Sequence, residues 1–289
     1  MKNRTRYTIV FLALTAYLMI YRGLWRAGFP DFYAAAIGCG LVYLVTKLTH
    51  EEPLYRNTGK KMTALTFFTL LGLMYAAQEI MIVITGVMEK GFNAFGLSMY
   101  TAPEVEQVRV LFADSSFASL TTGFWPILLG PLVEELLYRS YAAKSFEDSA
   151  GRVFAIVVSA VAFAVGHGRF HMCIHTVISG MIFAFLLFEY GPKWAVSFHV
   201  INNLGIIGIE MLLCGIFGTD KGLTVSQILG TAFALFGVAM CIRNRKAIAA
   251  YIREHKAPAG EYKAAFLNVG FLVFVAYNFY KSVVNIAPM

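Results

Sequence analysis

Two adjacent glutamates and an arginine interrupt an otherwise apolar stretch of this sequence. Glu134 and Glu135 are followed by Arg139, and residues 120–133 before them carry no charge. On a helix, Glu135 and Arg139 would face each other, whereas Glu134 would point about 100° away and could meet other partners. Ionisable groups inside a membrane cost roughly 2.5–3.5 kcal/mol each on insertion scales, so they indicate a function. The simpler alternative is an ion pair that only reaches the lipid headgroups.

More polar side chains occur in the apolar segments that follow. Phe163 and His167 are four residues apart near the end of one segment, and His199 and Asn203 are four apart near the start of another. At 1.5 Å per helical residue, these polar groups and Glu134 fall within about 14 Å of one another in depth. The sequence therefore predicts one buried site formed by antiparallel helices. Taken singly, each side chain could be an interhelical hydrogen-bonding group.

The chemistry that these residue types support is the activation of water for hydrolysis of an amide bond. Glu134 would act as the general base, and His167 would orient the water or bind a metal together with Glu134. His199 and Asn203 would donate hydrogen bonds to the oxyanion of a tetrahedral intermediate, each worth about 2.7–4 kcal/mol. Arg139 would hold Glu135, and through it the helix that carries Glu134.

The composition is that of a polytopic membrane protein. Of 289 residues, 58% are hydrophobic and 14% charged, against about 45–50% and about 25% in soluble domains. The net charge of +7 is interpreted as membrane topology, without a nucleic-acid partner. The cysteines lie far apart in apolar surroundings and are interpreted as small buried residues: they are Cys39, Cys173, Cys214 and Cys241.

Apolar segments of about 20 residues, the length that crosses a bilayer, recur along the chain. We predict an all-α fold with eight or nine transmembrane helices around an intramembrane catalytic chamber. The predicted spans are 7–25, 32–49, 62–88, 118–142, 152–167, 171–190, 193–216, 222–242 and 264–284. The last could instead be an interfacial helix.

One integral membrane domain is expected, with N-terminal spans and a loop in 1–117, a catalytic core in 118–216 and C-terminal spans in 217–289. A cytoplasmic N-terminus puts most Lys and Arg residues on the cytoplasmic side, in agreement with the positive-inside rule. The expected location is the plasma membrane.

Two further histidines leave an alternative open. His167, His171 and His175 are spaced so that one continuous helix would present them as a metal-binding face. Neighbouring glycines and an arginine favour a turn that separates His167 from the other two. A separate metal site at His171 and His175 remains an alternative, and their role is open.

The three motifs resemble those of the CPBP family of intramembrane proteases. This family includes the Ras-converting CAAX prenyl endopeptidase and the bacterial Abi proteins, some linked to bacteriocin self-immunity and peptide-signal processing. The motifs stand in order on successive apolar segments: Glu134-Glu135-xxx-Arg139, Phe163-xxx-His167 and His199-xxx-Asn203.

The resemblance covers about residues 118–216 and implies a helical membrane fold around a chamber open to the cytosol. By matching positions it implies that Glu134 and His167 activate water and that His199 and Asn203 form the oxyanion site. It is compatible with a divalent metal such as zinc on Glu134, His167 and His199, and equally with a metal-free glutamate mechanism.

The sequence thus predicts an intramembrane endopeptidase. Its substrate would be a membrane-associated protein or peptide, through CAAX-type C-terminal processing or processing of a peptide or bacteriocin precursor, and its other partner the lipid bilayer. One alternative is a non-catalytic membrane scaffold or immunity protein. Another is a proton-coupled transporter in which Glu134, His167 and His199 form a relay, although the inverted repeats typical of transporters are not evident in the sequence.

Overall fold

The computed structural model describes residues 3–29, 31–48, 58–99, 128–284 and 286–288. The first part of the predicted span 118–142 therefore lies outside the described residues. From residue 130 onward the chain is helical through the two glutamates and continues to Ala150, beyond the predicted end of that span.

Almost all of the described chain is helical. The helices are α1 (Asn3–Arg26), α2 (Asp31–Leu48), α3 (Ala64–Asn93), α4 (Gly130–Glu134), α5 (Lys144–Ala150), α6 (Arg152–His167), α7 (Cys173–Tyr190), α8 (Pro192–Phe217), α9 (Thr219–Arg243), α10 (Arg245–Glu254), α11 (Glu261–Phe266) and α12 (Val269–Val284). A π-helical segment, Glu135–Ala143, joins α4 to α5, and a 3-10 turn, Phe170–Met172, precedes α7. The strands Leu97–Ser98 and Ala287–Pro288 pair antiparallel, with Leu97 opposite Pro288.

Within the described residues, four helical segments are long and apolar enough to cross a membrane: Asn3–Arg26, Ala64–Asn93, Phe170–Tyr190 and Thr219–Arg243. Helix α8 would be a fifth span, although its two parts meet at 43°. Shorter apolar helices occur within α2, α6 and α12. An all-α membrane protein is thus supported, whereas the count of eight or nine spans is not confirmed.

Short connections fix where the central helices begin and end. Helix α7 ends at Tyr190 and is followed by Gly191, whose φ of 93° suits glycine. Pro192 follows at the first turn of α8, where its missing N–H costs nothing. Helices α7 and α8 are therefore neighbours that run in opposite directions, and residues from both can reach one site.

Small residues allow the helices to approach closely. A Cβ on Gly180 of α7 would lie 3.2 Å from Ala160 of α6, and one on Gly72 of α3 would lie 2.8 Å from the backbone of Gly237 in α9. Such small-residue contacts are a common means of helix association in lipid. The contact of Ala160 with Gly180 places α6 and α7 side by side behind the predicted site.

A network of charged side chains ties the ends of several helices together on the predicted cytoplasmic side. Glu189 accepts hydrogen bonds from Lys60 Nζ at 2.8 Å, Arg152 Nη1 at 3.1 Å and the Tyr251 hydroxyl at 3.1 Å. Arg152 Nε also donates to Glu147 Oε1 at 3.1 Å. We call these five residues the rim network.

Candidate active site

Four polar side chains form a continuous chain of contacts in the interior. Arg139 Nε lies 3.4 Å from Glu135 Oε2. The other carboxylate oxygen of Glu135 lies 2.9 Å from His199 Nδ1. His199 Nε2 in turn lies 3.3 Å from Glu134 Oε2. His199 therefore stands between the two glutamates, and we call these four residues the site chain.

The position of His199 determines how protons are held in the site chain. A neutral imidazole has one N–H, and an ionised carboxylate can only accept. His199 Nδ1 makes a hydrogen bond with Glu135 Oε1, and Nε2 lies 3.3 Å from Glu134 Oε2. With Glu135 ionised, the hydrogen bond requires a proton on Nδ1, and Nε2 is the ring nitrogen that faces Glu134.

A change of helical winding separates the two glutamates. Glu134 is the last residue of α4, and Glu135 is the first residue of the π-helical segment. Such π-helical turns occur frequently at functional sites. The Glu135 side chain is 4% exposed, whereas that of Glu134 is 32% exposed. Glu135 is therefore sealed in the protein, and Glu134 is open to a substrate or to water.

Arg139 is fully buried and lies between aromatic rings. Its guanidinium carbon is 4.2 Å from the ring centroid of Phe163 and 5.3 Å from that of Phe183. Its side-chain nitrogens have no hydrogen-bond partner among the described residues. The charge of Glu135 and the faces of the two rings therefore compensate this cation. The predicted pairing of Glu135 with Arg139 is confirmed.

His167 ends α6 next to the site chain. Its Nδ1 lies 2.8 Å from the carbonyl oxygen of Phe163, which can only accept, so Nδ1 carries the proton and Nε2 is left as the acceptor. The ring of Phe163 lies against both histidines, with its centroid 4.6 Å from that of His167 and 5.5 Å from that of His199. The structure thus brings His167 close to His199, with the hydrogen bond of His167 directed to its own helix.

The end of α6 is held by side chains that the sequence did not predict. Lys281 Nζ of α12 donates to the carbonyl oxygen of Gly166 at 3.1 Å, where a cation suits the helix C-terminus. A Cβ on Gly166 would collide with the hydroxyl of Tyr138. Gly168, the residue after His167, has a φ of 63° and caps the helix. These contacts fix the backbone next to His167.

Two adjacent asparagines follow His199 on α8. Asn202 is 8% exposed, and Asn203 is half-buried. Asn202 Nδ2 donates to Asn203 Oδ1 at 3.1 Å. This bond turns the oxygen of the Asn203 amide toward Asn202 and its NH2 group to the other side. Asn202 therefore holds the Asn203 side chain through its amide oxygen.

The two additional histidines have separate environments. His175 is buried, and its Nε2 lies 3.4 Å from the Ser179 hydroxyl. His171 lies in the 3-10 turn, where its carbonyl oxygen accepts a hydrogen bond from Thr85. The turn expected after His167 is therefore present, and the three histidines do not share one helix.

The candidate metal ligands among the described residues are not arranged around one common position. In the part of the chain that the structure describes, no group of three or more His, Cys, Asp and Glu residues is arranged to hold a metal ion. His167 and His199 do direct Nδ1 to a carbonyl and a carboxylate, as metal-ligating histidines do. The metal on Glu134, His167 and His199 stays a prediction, as does the alternative at His171 and His175.

Several contacts of this site carried no signal in the sequence. The Phe183 ring stacks on His199 with centroids 4.5 Å apart, but Phe183 is one apolar residue within an apolar segment. Tyr138 and Lys281 likewise act through packing between distant parts of the chain. Asn202 is adjacent to Asn203 in the sequence, but the spacing of four residues from His199 indicates Asn203 alone.

A comparison with known families matches the same part of the chain. Residues 116–205 match the family model described as Type II CAAX prenyl endopeptidase Rce1-like, over roughly a third of the 289 residues. The matched segment contains every predicted site residue. No curated protein and no solved structure matches the chain. Residues 116–205 are thus similar to this family, and the resemblance of the three motifs is confirmed.

Proposed function

We propose that this protein is an intramembrane endopeptidase that hydrolyses a peptide bond in a membrane-associated protein or peptide. The observation that carries the proposal is His199 held between a sealed carboxylate, Glu135, and an accessible one, Glu134. A carboxylate that faces open space and has an imidazole at hand can take a proton from water and pass it on. The family match over 116–205 supports peptide-bond cleavage as the reaction.

In the first step Glu134 removes a proton from a water molecule, whose oxygen forms a bond to the substrate carbonyl carbon. His167 would orient this water through Nε2, the nitrogen that its bond to Phe163 leaves as an acceptor. The carbonyl oxygen becomes an oxyanion in a tetrahedral intermediate. Donors directed at that oxygen supply much of the catalysis in such reactions.

The contact of His199 with Glu134 gives the site a way to couple these events. In the reactive state His199 would carry a proton on both ring nitrogens, with Nε2 3.3 Å from Oε2 of ionised Glu134. Once Glu134 has taken the proton from water, it competes less for that N–H, which can then donate to the oxyanion beside the Asn203 amide. The proton on Glu134 finally moves to the leaving nitrogen as the C–N bond breaks. One water molecule is consumed for each peptide bond that is cleaved.

Glu135 and Arg139 would support this cycle without touching the substrate. Glu135 accepts from His199 Nδ1 and so holds the ring with Nε2 toward Glu134. Arg139 balances the charge of Glu135 in surroundings that exclude water. This role resembles that of the buried aspartate that orients the histidine of a serine protease triad.

The substrate class is proposed from the family description. A type II CAAX prenyl endopeptidase acts on a prenylated C-terminal sequence, and such a substrate is one form of the proposal. A membrane-bound peptide precursor is the other. We further propose that the protein lies in the plasma membrane with its N-terminus in the cytoplasm, in agreement with the distribution of Lys and Arg residues.

The test compares protein termini in cells that carry the native protein or Glu134→Gln at equal expression, by mass spectrometry of end-labelled peptides. We expect new termini only with the native protein. Glu147→Gln removes a carboxylate of the rim network and should leave these termini in place. The proposal is contradicted if Glu134→Gln yields the same termini. It is also contradicted if no termini differ and the variant restores every phenotype of the deletion, as a non-catalytic scaffold would.

A further inference from the structure

A cavity between α3 and α8 borders the site chain. It encloses about 80 Å³ and is lined mostly by apolar side chains, together with the amides of Gln78 on α3 and Asn202 on α8. Asn202 follows His199 by three residues, which is about 4.5 Å along the helix axis. We propose that Gln78 is a substrate-binding residue whose side-chain oxygen accepts a hydrogen bond from a backbone N–H of the substrate beside the bond that is cut. This inference rests on the proposed function.

Gln78 carries an oxygen that has no partner within the protein. Its Oε1 is buried and makes no hydrogen bond among the described residues. Buried polar atoms of this kind are uncommon in native proteins, because water no longer reaches them and the lost hydrogen bond is not replaced. An N–H donor that enters the cavity would satisfy this oxygen. The unpaired Oε1 therefore indicates which chemical group the cavity accepts.

A peptide that is cut inside a membrane presents such donors. Its segment around the cleaved bond must leave any helix so that water can reach the carbonyl carbon, and its N–H groups then lose their helical partners. Away from water each unpaired N–H is unfavourable. An acceptor in the cavity wall next to the site would pair with one of them. A glutamine oxygen does this without placing a charge in apolar surroundings.

Contacts around the cavity hold its walls in place. The rings of Phe67 on α3 and Phe198 on α8 meet with centroids 5.0 Å apart. Tyr75, one turn before Gln78 on α3, stacks on Phe233 of α9 with centroids 5.6 Å apart. Helix α3 is thus fixed against both α8 and α9. The cavity and the Gln78 oxygen are therefore in place before a substrate binds.

The remaining lining of the cavity suits an aliphatic side chain of the substrate. Leu71 and Met74 of α3 and Ile201 of α8 contribute apolar surface. The volume of about 80 Å³ is roughly half the ~150 Å³ of a protein cavity that holds benzene. An aromatic ring is therefore too large, whereas a side chain of a few carbon atoms fits. The side chain next to the bonded N–H would occupy this space.

Gln78→Leu separates substrate binding from a structural role. Since Leu removes a buried oxygen that has no partner, the melting temperature should stay the same or rise. KM for a cleaved peptide should rise by about 2- to 10-fold, with little change in kcat, because the bond is made before and during the reaction. A structural role for Gln78 predicts the reverse, a lower melting temperature with KM unchanged.

The experiment uses the full-length protein in proteoliposomes and internally quenched peptides spanning the bond cleaved in cells. Each peptide is N-methylated at a different amide near that bond, which removes one N–H. At the amide that bonds Gln78, native protein and Gln78→Leu should have the same KM. At every other amide the difference between them should persist.

Gln227→Leu is the matched control. Gln227 of α9 donates to Glu79 Oε2 at 2.7 Å, so the same substitution here removes an amide that has a partner. It should not raise the melting temperature, and KM should stay native with every peptide.

Variants at Leu71 test the apolar part of the cavity. Leu71→Phe fills the space and Leu71→Ala enlarges it. The ratio of kcat/KM for peptides with valine or phenylalanine at the position that enters the cavity should rise in the first variant and fall in the second. A change of about 10-fold in each direction is expected from the size discrimination of apolar pockets. This ratio does not depend on the amount of folded protein.

The inference is overturned if Gln78→Leu has the native KM with every peptide, as it would if a lipid chain or water filled the cavity. It is also overturned if no N-methylated peptide removes the difference. An unchanged preference in both Leu71 variants contradicts the placement of the side chain. Glu134→Gln, measured alongside, keeps the two claims apart. An inactive Glu134→Gln with a native KM in Gln78→Leu contradicts this inference alone, whereas an active Glu134→Gln contradicts the proposed function and this inference with it.

Discussion

The site chain and the rim network are made of the same kinds of charged groups in different surroundings. In the site chain, Arg139 and Glu135 have side chains that are 1% and 4% exposed. In the rim network, Lys60 is 52% exposed and Glu189 13%. Water can replace a lost partner at the rim but not in the site chain. Ion pairs of similar geometry therefore contribute little to stability in the rim network, whereas in the site chain they hold the catalytic side chains in position.

The largest effect is expected from Arg139→Met. It leaves the buried charge of Glu135 without its cation, and breaking one partner of a buried pair costs about 3–5 kcal/mol. Cleavage should also be lost, because Glu135 would no longer be available to hold His199. Thermal unfolding and peptide cleavage measure the two effects. Arg152→Met at the rim is the control and should cost about 1 kcal/mol or less; equal losses in both variants would contradict the contrast.

The double variant Arg139→Leu with Glu135→Leu sharpens the comparison. Replacing both partners of a buried pair by apolar residues is often neutral or stabilising. We therefore expect thermal stability to recover relative to Arg139→Met while cleavage stays absent, since His199 Nδ1 loses its partner. Recovery of cleavage together with stability would show that Glu135 has no role in orienting His199.

A smaller effect is expected where α6 meets the π-helical segment. Gly166→Ala would place a methyl group against the Tyr138 hydroxyl, and overpacking of this kind costs about 1–3 kcal/mol. Turnover should fall as well, because His167 is the next residue. Tyr138→Phe removes the hydroxyl and should relieve part of both losses in the double variant. If Gly166→Ala alone behaves as the native protein, the close approach does not constrain the site.

The smallest effect is expected from Lys60→Met at the rim. The hydrogen bond with Glu189 raises the pKa of Lys60, so the pair stabilises the folded protein when the lysine is charged. This contribution is fully present below about pH 10.4 and is lost as the pH rises through the raised pKa. Native protein and Lys60→Met should therefore differ slightly in melting temperature at pH 8 and converge at strongly alkaline pH. A difference that grows with pH would contradict this assignment.

The sequence predicted the local part of this structure well. The predicted span 152–167 coincides with α6, and 193–216 lies within one residue of each end of α8. The length of each apolar segment and the glycines at its ends determine these bounds, and both can be read directly from the sequence. The pairing of Glu135 with Arg139 was accessible for the same reason, because it depends only on the spacing within one helix.

The long-range part of the site could not be predicted in the same way. That His199 lies between both glutamates depends on how α8 packs against the π-helical segment, 64 residues away in sequence. Counting 1.5 Å per helical residue predicted that the polar groups lie at similar depths in the membrane. It could not predict which of their atoms are in contact. The stacking of Phe183 on His199 depends on how distant helices pack, and so does the close approach of Gly166 to Tyr138. The periodicity of an apolar segment does not indicate either contact.

The central claim is that Glu134 performs chemistry, whereas Glu135 maintains the site. The most direct test measures single-turnover cleavage of the peptide spanning the bond cleaved in cells, together with the melting temperature, for native protein and Glu134→Gln in proteoliposomes. We predict no detectable cleavage by Glu134→Gln at a melting temperature close to the native one, because its side chain is partly exposed. Cleavage by Glu134→Gln at the native rate would contradict the account.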